Sequence, residues 1–199
     1  MLSMSAMRNL LALLAVAGTL IVNSKAASAE YREEIPFVPT PIEVIDRMLE
    51  LAEVKTGDVV YDLGTGDGRI VIRAAKKYGV KAVGIEMDSW LLDKARKDAK
   101  AAGVGHLVAF RSEDALKADI SGATVVTLYM LPWFNEAMKP SFKKFLKPGT
   151  RIVAHDFGIE GWEPDKILKL PEPEKKLGGY LHYHTIFLWR RVGNRDERH

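Results

Sequence analysis

An α/β fold, built on a mostly parallel sheet with helices on both faces, is predicted by three observations. Short β-branched runs alternate with helix-period segments along most of the chain, the pattern of strand–helix–strand crossovers. The apolar run Val59-Val60-Tyr61-Asp62-Leu63 ends in the turn Gly64-Thr65-Gly66-Asp67-Gly68, which reads as a strand handing a polar ligand to the N-terminus of the next helix. With 199 residues, 47% of them apolar, the chain can bury one full core and is too short for two ordinary domains.

Residues 1–29 read as a signal peptide or membrane anchor. Arg8 forms a small basic region, residues 10–22 are apolar, and Ala27-Ser28-Ala29 has the spacing of a cleavage site. An exported location is expected; the alternative is an uncleaved anchor with the domain facing the cytoplasm, favoured by Lys25, Arg32 and Arg47 beyond the apolar run. Residues 30–40 form an extended pre-domain segment, stiffened where Pro36-Phe37-Val38-Pro39-Thr40-Pro41 sets prolines close together. Residues 41–192 form the single domain. Thr40-Pro41-Ile42-Glu43 reads as a capping box opening a helix whose apolar stripe is Ile42, Ile45, Met48, Leu49 and Ala52.

Further elements follow in order. Strand 59–63 leads to helix 68–78, closed by Gly79, and strand 81–86 leads to a helix capped by Asp88 or Ser89 and ended by Gly103. Strands are expected at 106–110, 123–129 and 150–155, with a helix over 135–145. A short strand near 166–170 and a long aromatic, β-branched strand over 180–190 complete the domain, and residues 193–199 are expected to be disordered.

The glycine turn departs from the dinucleotide fingerprint. Arg69 stands where the third glycine of G-x-G-x-x-G belongs, and Asp62, two residues before Gly64, would face a pyrophosphate anion to anion. A cationic ligand end suits it better. Eighteen residues beyond Gly68, Glu86 closes the second strand, where a carboxylate can accept from both hydroxyls of a ribose.

Asp62 to Gly68, read D-L-G-T-G-D-G, resembles motif I of the seven-strand, class I S-adenosylmethionine-dependent methyltransferases, and the likeness runs from about residue 36 to residue 191. The resemblance implies a Rossmann-like, mostly parallel seven-stranded sheet with an antiparallel C-terminal edge pair. It implies S-adenosyl-L-methionine as cofactor, with Asp62, Gly64, Thr65, Gly66, Asp67 and Gly68 around its methionine end and Glu86 on the ribose. Met87 would lie on the adenine face or be ordinary core, and Asp114 and Ala115 would meet the adenine edge.

The end of the fourth strand, Thr127-Leu128-Tyr129-Met130-Leu131-Pro132-Trp133, lacks the Asp/Asn-Pro-Pro-Tyr of many amino-methyltransferases of bases and amides. Together with P-F-V-P-T-P at 36–41 and K-P-G-T-R-I-V-A-H-D-F at 147–157, it resembles the small protein-lysine methyltransferases that include mitochondrial enzymes acting on the ATP synthase c-ring protein and on the adenine nucleotide carrier. The likeness implies methyl transfer to a lysine of a protein acceptor, membrane-associated acceptors included, with Tyr129, Pro132 and Phe37 at the acceptor end. Trp133, Phe37, Phe157 and Trp162 are candidate walls of an aromatic channel for a cation. Methylation of a quinone or lipid, and an exported binding protein that keeps the fold without turnover, are the alternatives.

Composition excludes other classes. There is no cysteine for disulfides, thiolate zinc ligands or a thiol nucleophile, and the formal charge of +3 falls to +1 without Arg8 and Lys25, which is no nucleic-acid-binding balance. His155-Asp156 reads either as a general base or as a histidine satisfied by its neighbour. His182 and His184 alternate on one strand without a third ligand, so no metal site is expected.

Overall fold

The computed structural model describes residues 35–177 and 180–191. Its elements are α1 (Ile42–Leu51), β1 (Val59–Leu63), α2 (Arg69–Tyr78), β2 (Lys81–Glu86), α3 (Ser89–Ala101), β3 (Val108–Ser112), β4 (Val125–Leu128), α4 (Pro132–Ala137), α5 (Lys139–Phe145), β5 (Arg151–His155), β6 (Lys166–Leu177) and β7 (Tyr180–Arg190). The strands make one seven-stranded sheet in the order β3-β2-β1-β4-β5-β7-β6. Strands β1 to β5 are parallel, and β7 runs antiparallel to both β5 and β6. The expected antiparallel edge pair is present. The signal or anchor segment, residues 30–34 and the tail lie outside the described residues.

Period-two alternation assigns each strand residue to one of two cores. Val60, Val125, Val153, Ile186 and Leu188 face α1 and α2, packing on Ile45, Met48, Val71 and Ala74. Leu63, Ile85, Val126, Leu128, Ile152 and Trp189 face the other way, onto Phe134, Met138 and Phe142 of the α4–α5 layer. Helices on both faces explain why β4 and β5 are buried at every position. At the amino ends of the strands, Arg151 bridges the carbonyls of Ala52 and Glu53 and pairs with Asp58. Burial pushes the Asp58 carboxyl up, but the Lys55 N–H, the Thr124 hydroxyl and the Arg151 guanidinium together hold it below the usual range.

Several sequence expectations are corrected. Helix α1 opens without a capping box: Pro41 is its N-cap, no side chain caps it, and the Thr40 hydroxyl turns inward to His155. The helix expected over 135–145 begins at Pro132 and breaks at Met138, because Pro140 has no N–H to continue the ladder. Strand β3 starts at Val108, since residues 104–107 form a turn closed by the Leu107 N–H on the Val104 carbonyl at 2.8 Å. Strand β6 runs on through Pro171 and Pro173 to Leu177, which an edge strand tolerates because one side of its ladder needs no donors.

Candidate active site

The sheet reverses direction between β1 and β4. The chain steps outward through β2 and β3, then returns to pair β4 against the other side of β1, which opens a crevice at the carboxyl ends. Registers Leu63–Leu128, Leu63–Ile85 and Glu86–Ser112 bring the loops after β1, β2, β3 and β4 to that end.

The loop after β1 is pinned to β2 by the Gly64 and Thr65 N–H groups, both donating to the Ile85 carbonyl at 2.9 Å. Gly64 (φ 74°) and Gly66 (φ 56°) take the left-handed conformation, and each is tightly covered. A Cβ on Gly64 would lie 2.3 Å from the Met130 sulfur, and one on Gly66 would lie 2.6 Å from the Phe37 ring. Only glycine satisfies both demands. Gly68 is the left-handed N-cap of α2, set against the Phe110 ring and Ala95.

Three carboxylates surround this loop. Asp62 is 2% exposed. Its oxygens accept from the Thr65 hydroxyl at 2.7 Å and the Thr127 hydroxyl at 2.6 Å. Burial raises its pKa, the two hydroxyls oppose the rise, and Glu86 and Asp67 add to it, leaving Asp62 at about 6. Glu86 holds the rim: one oxygen accepts from the Gly66 N–H at 2.9 Å, the other from Met87 N–H at 2.8 Å and Asp88 N–H at 3.1 Å. Asp67 lies beneath the loop, gripped bidentately by Arg69 at 2.9 and 2.8 Å; burial pushes it up, but the guanidinium holds it below the usual range. Arg69, read from sequence only as a departure from the dinucleotide pattern, is thus the loop's buttress. It also donates to the Thr40 carbonyl at 3.0 Å.

Met87 is 68% exposed beside Glu86, which overturns the reading of it as core and leaves it at the rim with the equally exposed Trp90. Asp114 caps its own turn, accepting from the Leu116 N–H at 3.0 Å and pairing with Lys117 at 3.2 Å, and Ala115 is buried next to it.

On the other side of the crevice, the Tyr129 ring lies 4.0 Å from that of His155 and 6.3 Å from that of Phe157. Pro132 begins α4, where its missing N–H costs nothing. The aromatic channel is only partly assembled: Trp133 meets Phe134 edge-on at 5.8 Å, while Trp162 packs on Phe142 and accepts from the Trp189 indole. Phe37 stands apart from them, over Gly66.

Sequence reasoning missed several partners. Thr127 and Met130 belong to the run quoted at the end of β4, but nothing in it says that one would hold Asp62 and the other cover Gly64. Asn135, fully buried, donates to the Phe157 and Gly158 carbonyls and so fixes the loop after β5. Asp156, in left-handed backbone (φ 59°), joins His155 and His184 in one cluster. The sequence reading set His184 beside His182 along the strand and expected no metal site; the contact of His184 is across the strands, to His155, and the His182 side chain lies outside the described residues.

This geometry has relatives. Residues 62–166 match the model of the ANTKMT methyltransferase domain. A protein-lysine N-methyltransferase of Saccharolobus islandicus is 43% identical over 80% of this chain and 95% of its own. The adenine nucleotide translocase lysine N-methyltransferase of Mus musculus is 31% identical over 69% of this chain, which spans only 59% of that relative's length. A solved structure of an RNA methyltransferase from Salinibacter ruber, in complex with S-adenosyl-L-homocysteine, superposes with a TM-score of 0.72 at 50% identity, covering 81% of this chain and 98% of that one. A seven-stranded sheet of this order, a glycine turn ringed by acids and a family match across the domain lead to one conclusion: the chain belongs to the ANTKMT methyltransferase domain family.

Proposed function

We propose that the protein transfers methyl groups from S-adenosyl-L-methionine to a lysine of a protein acceptor. The observation that carries the cofactor is the pair of carboxylates Asp62 and Glu86 against the turn of Gly64 and Gly66, with Asp67 matched by Arg69 beneath it, a negative edge that favours a cationic ligand end and opposes a pyrophosphate. The residues fit: Gly64 and Gly66 keep the loop backbone free of side chains beneath Met130 and Phe37, and the Glu86 carboxylate stands at the rim where ribose hydroxyls can be accepted. The cofactor supplies an activated methyl on a sulfonium. The chain's own residues have to orient the amine and keep water out. Phe37 and Met130 close over the two glycines, and the Tyr129 hydroxyl with the carbonyls of Tyr129 and Met130 can receive the incoming amine, the Leu131 carbonyl being taken by the first turn of α4. An ammonium brought to this apolar wall is desolvated, which lowers its pKa toward the neutral nucleophile.

The lysine acceptor is supported by the relatives named for it and by the end of β4, where no acid or second proline stands to receive a base or amide. The Salinibacter structure supports an RNA reading, so the test compares both. The full chain is incubated with radiolabelled cofactor and separate protein, RNA and lipid extracts of the source cells. Label recovered as N-methyl-lysine after acid hydrolysis of the protein supports the proposal; label confined to RNA and released by ribonuclease refutes it. We also propose that residues 1–29 direct export or anchor the domain. Their apolar run and A-x-A spacing support this, and an uncleaved segment would hold the enzyme at a membrane.

A further inference from the structure

We infer that His155, Asp156 and His184 form a binding site for a divalent transition metal of the zinc class, at the carboxyl end of β5 beside the acceptor wall. Three potential ligand atoms converge. The His155 Nε2 lies 2.9 Å from the His184 Nδ1 and 3.3 Å from Asp156 Oδ2, and His184 Nδ1 lies 3.6 Å from the same oxygen. Nitrogen and oxygen ligands at about 2.0–2.1 Å from a tetrahedral ion stand about 3.3 Å apart, which these separations bracket. Two imidazoles and one carboxylate are a donor set for zinc or a neighbouring first-row metal, while magnesium and calcium prefer all-oxygen shells.

The backbone has been shaped to hold the carboxylate there. Asp156 adopts a left-handed conformation uncommon outside glycine, asparagine and aspartate. It is locked by reciprocal bonds with Thr185: the Asp156 N–H donates to the Thr185 carbonyl at 2.7 Å, and the Thr185 N–H donates to Asp156 Oδ1 at 2.8 Å. Oδ1 is thereby committed, and Oδ2 is turned to the histidines. His155 is fully buried, with its other ring nitrogen 3.4 Å from the Thr40 hydroxyl, the outer partner that fixes a ligand ring's orientation. The histidines come from β5 and from its antiparallel neighbour β7, two rigid elements of the sheet. The His184 and Asp156 side chains keep 12% and 22% exposure, so the cluster has a way in from solvent.

The test is calorimetric titration of the chelator-stripped full chain with zinc, with magnesium as the hard-cation control. One zinc per chain, no comparable magnesium binding, and a zinc-dependent rise in melting temperature are expected. Asp156→Asn and His184→Gln should each weaken zinc binding by about 10–100-fold or more. His106→Ala, an exposed histidine elsewhere, should not change it. Asparagine tolerates the left-handed backbone and can still accept from Thr185, so Asp156→Asn should keep its metal-free melting temperature. Absence of saturable zinc binding would show that the cluster is held by shared protons alone. Zinc binding undiminished in both variants would place the ion on other histidines. Either result overturns the assignment.

Discussion

Asp62→Asn should make the free protein more stable at pH 8 and a poorer binder of its cofactor. Asp62 is buried, and its pKa is raised from 3.8 to about 6, with burial the largest cause. The folded state thus holds the proton more tightly than the unfolded chain. The protonated group's contribution is fully present below about 3.8 and is lost as pH rises through about 6. At pH 8 the ionised carboxylate costs the fold about 3 kcal/mol, at about 1.4 kcal/mol per unit. Asparagine removes that cost but turns an NH2 toward either the Thr65 or the Thr127 hydroxyl, forfeiting about 1 kcal/mol of hydrogen bonding. A net gain of about 2 kcal/mol remains, or about 4–8 °C in melting temperature for a chain of this size. The assay is the difference between variant and wild-type melting temperatures from pH 4 to pH 8, without and with S-adenosyl-L-methionine. The difference should be positive at pH 8, vanish toward pH 4, and shrink when the cofactor is present. A difference that is negative at pH 8, or does not vary with pH, would refute the account of Asp62 as a strained anion kept for a cationic ligand.

Other consequences can be checked directly. Glu86→Ala removes acceptors for three backbone N–H groups as well as the carboxylate proposed for the ribose, and should weaken cofactor binding by about 2–3 kcal/mol in calorimetry. Phe37→Ala, at a residue 48% exposed, should lower methyl transfer far more than melting temperature; proportional losses would make the segment a packing arm only. Arg151→Met strands the buried Asp58 carboxylate and should cost about 3–5 kcal/mol in denaturant unfolding. Because the wild-type Asp58 pKa is depressed, its contribution is present above 3.8 and lost as pH falls, so the variant's deficit should narrow in acid. Intact-mass measurement on protein from its native membranes should find a mature chain beginning at Glu30; a retained residue 10–22 segment would favour the anchor.

The sheet and its helices were legible because periodicity and glycine punctuation are local signals. Strand β2 fell on its predicted bounds and Asp88 caps α3 as expected, its side chain accepting from the Trp90 and Leu91 N–H groups. What stayed hidden was set by tertiary pairing. Thr40 has the right spacing for a capping box, yet a buried histidine 115 residues away claims its hydroxyl. Strand β6 looked short because two prolines end most strands, and only its place at the sheet edge lets it continue. In the site, the glycine turn and Glu86 announce themselves by spacing. The His155, Asp156 and His184 cluster does not, because antiparallel register, and no sequence interval, brings β7 against β5.

Thr40 gives the crevice a mechanical logic that neither half shows alone. Its carbonyl accepts from Arg69, which is clamped to Asp67 under the glycine loop, and its hydroxyl meets His155, which carries the Tyr129 ring. One buried residue therefore ties the glycine-loop side of the crevice to the Tyr129 side. Phe37, three residues upstream, reaches Gly66 from this fixed root, a span of about 10 Å for extended chain. Prolines at 36, 39 and 41 fix φ on either side of it, so the freedom to lift the ring lies in Phe37 and Val38. Both are about half exposed, and the Phe37 ring rests on Gly66. The segment is thus held at Thr40 and half exposed at its tip, the arrangement that a cover over the site requires and that the Phe37→Ala comparison of methyl transfer with melting temperature tests.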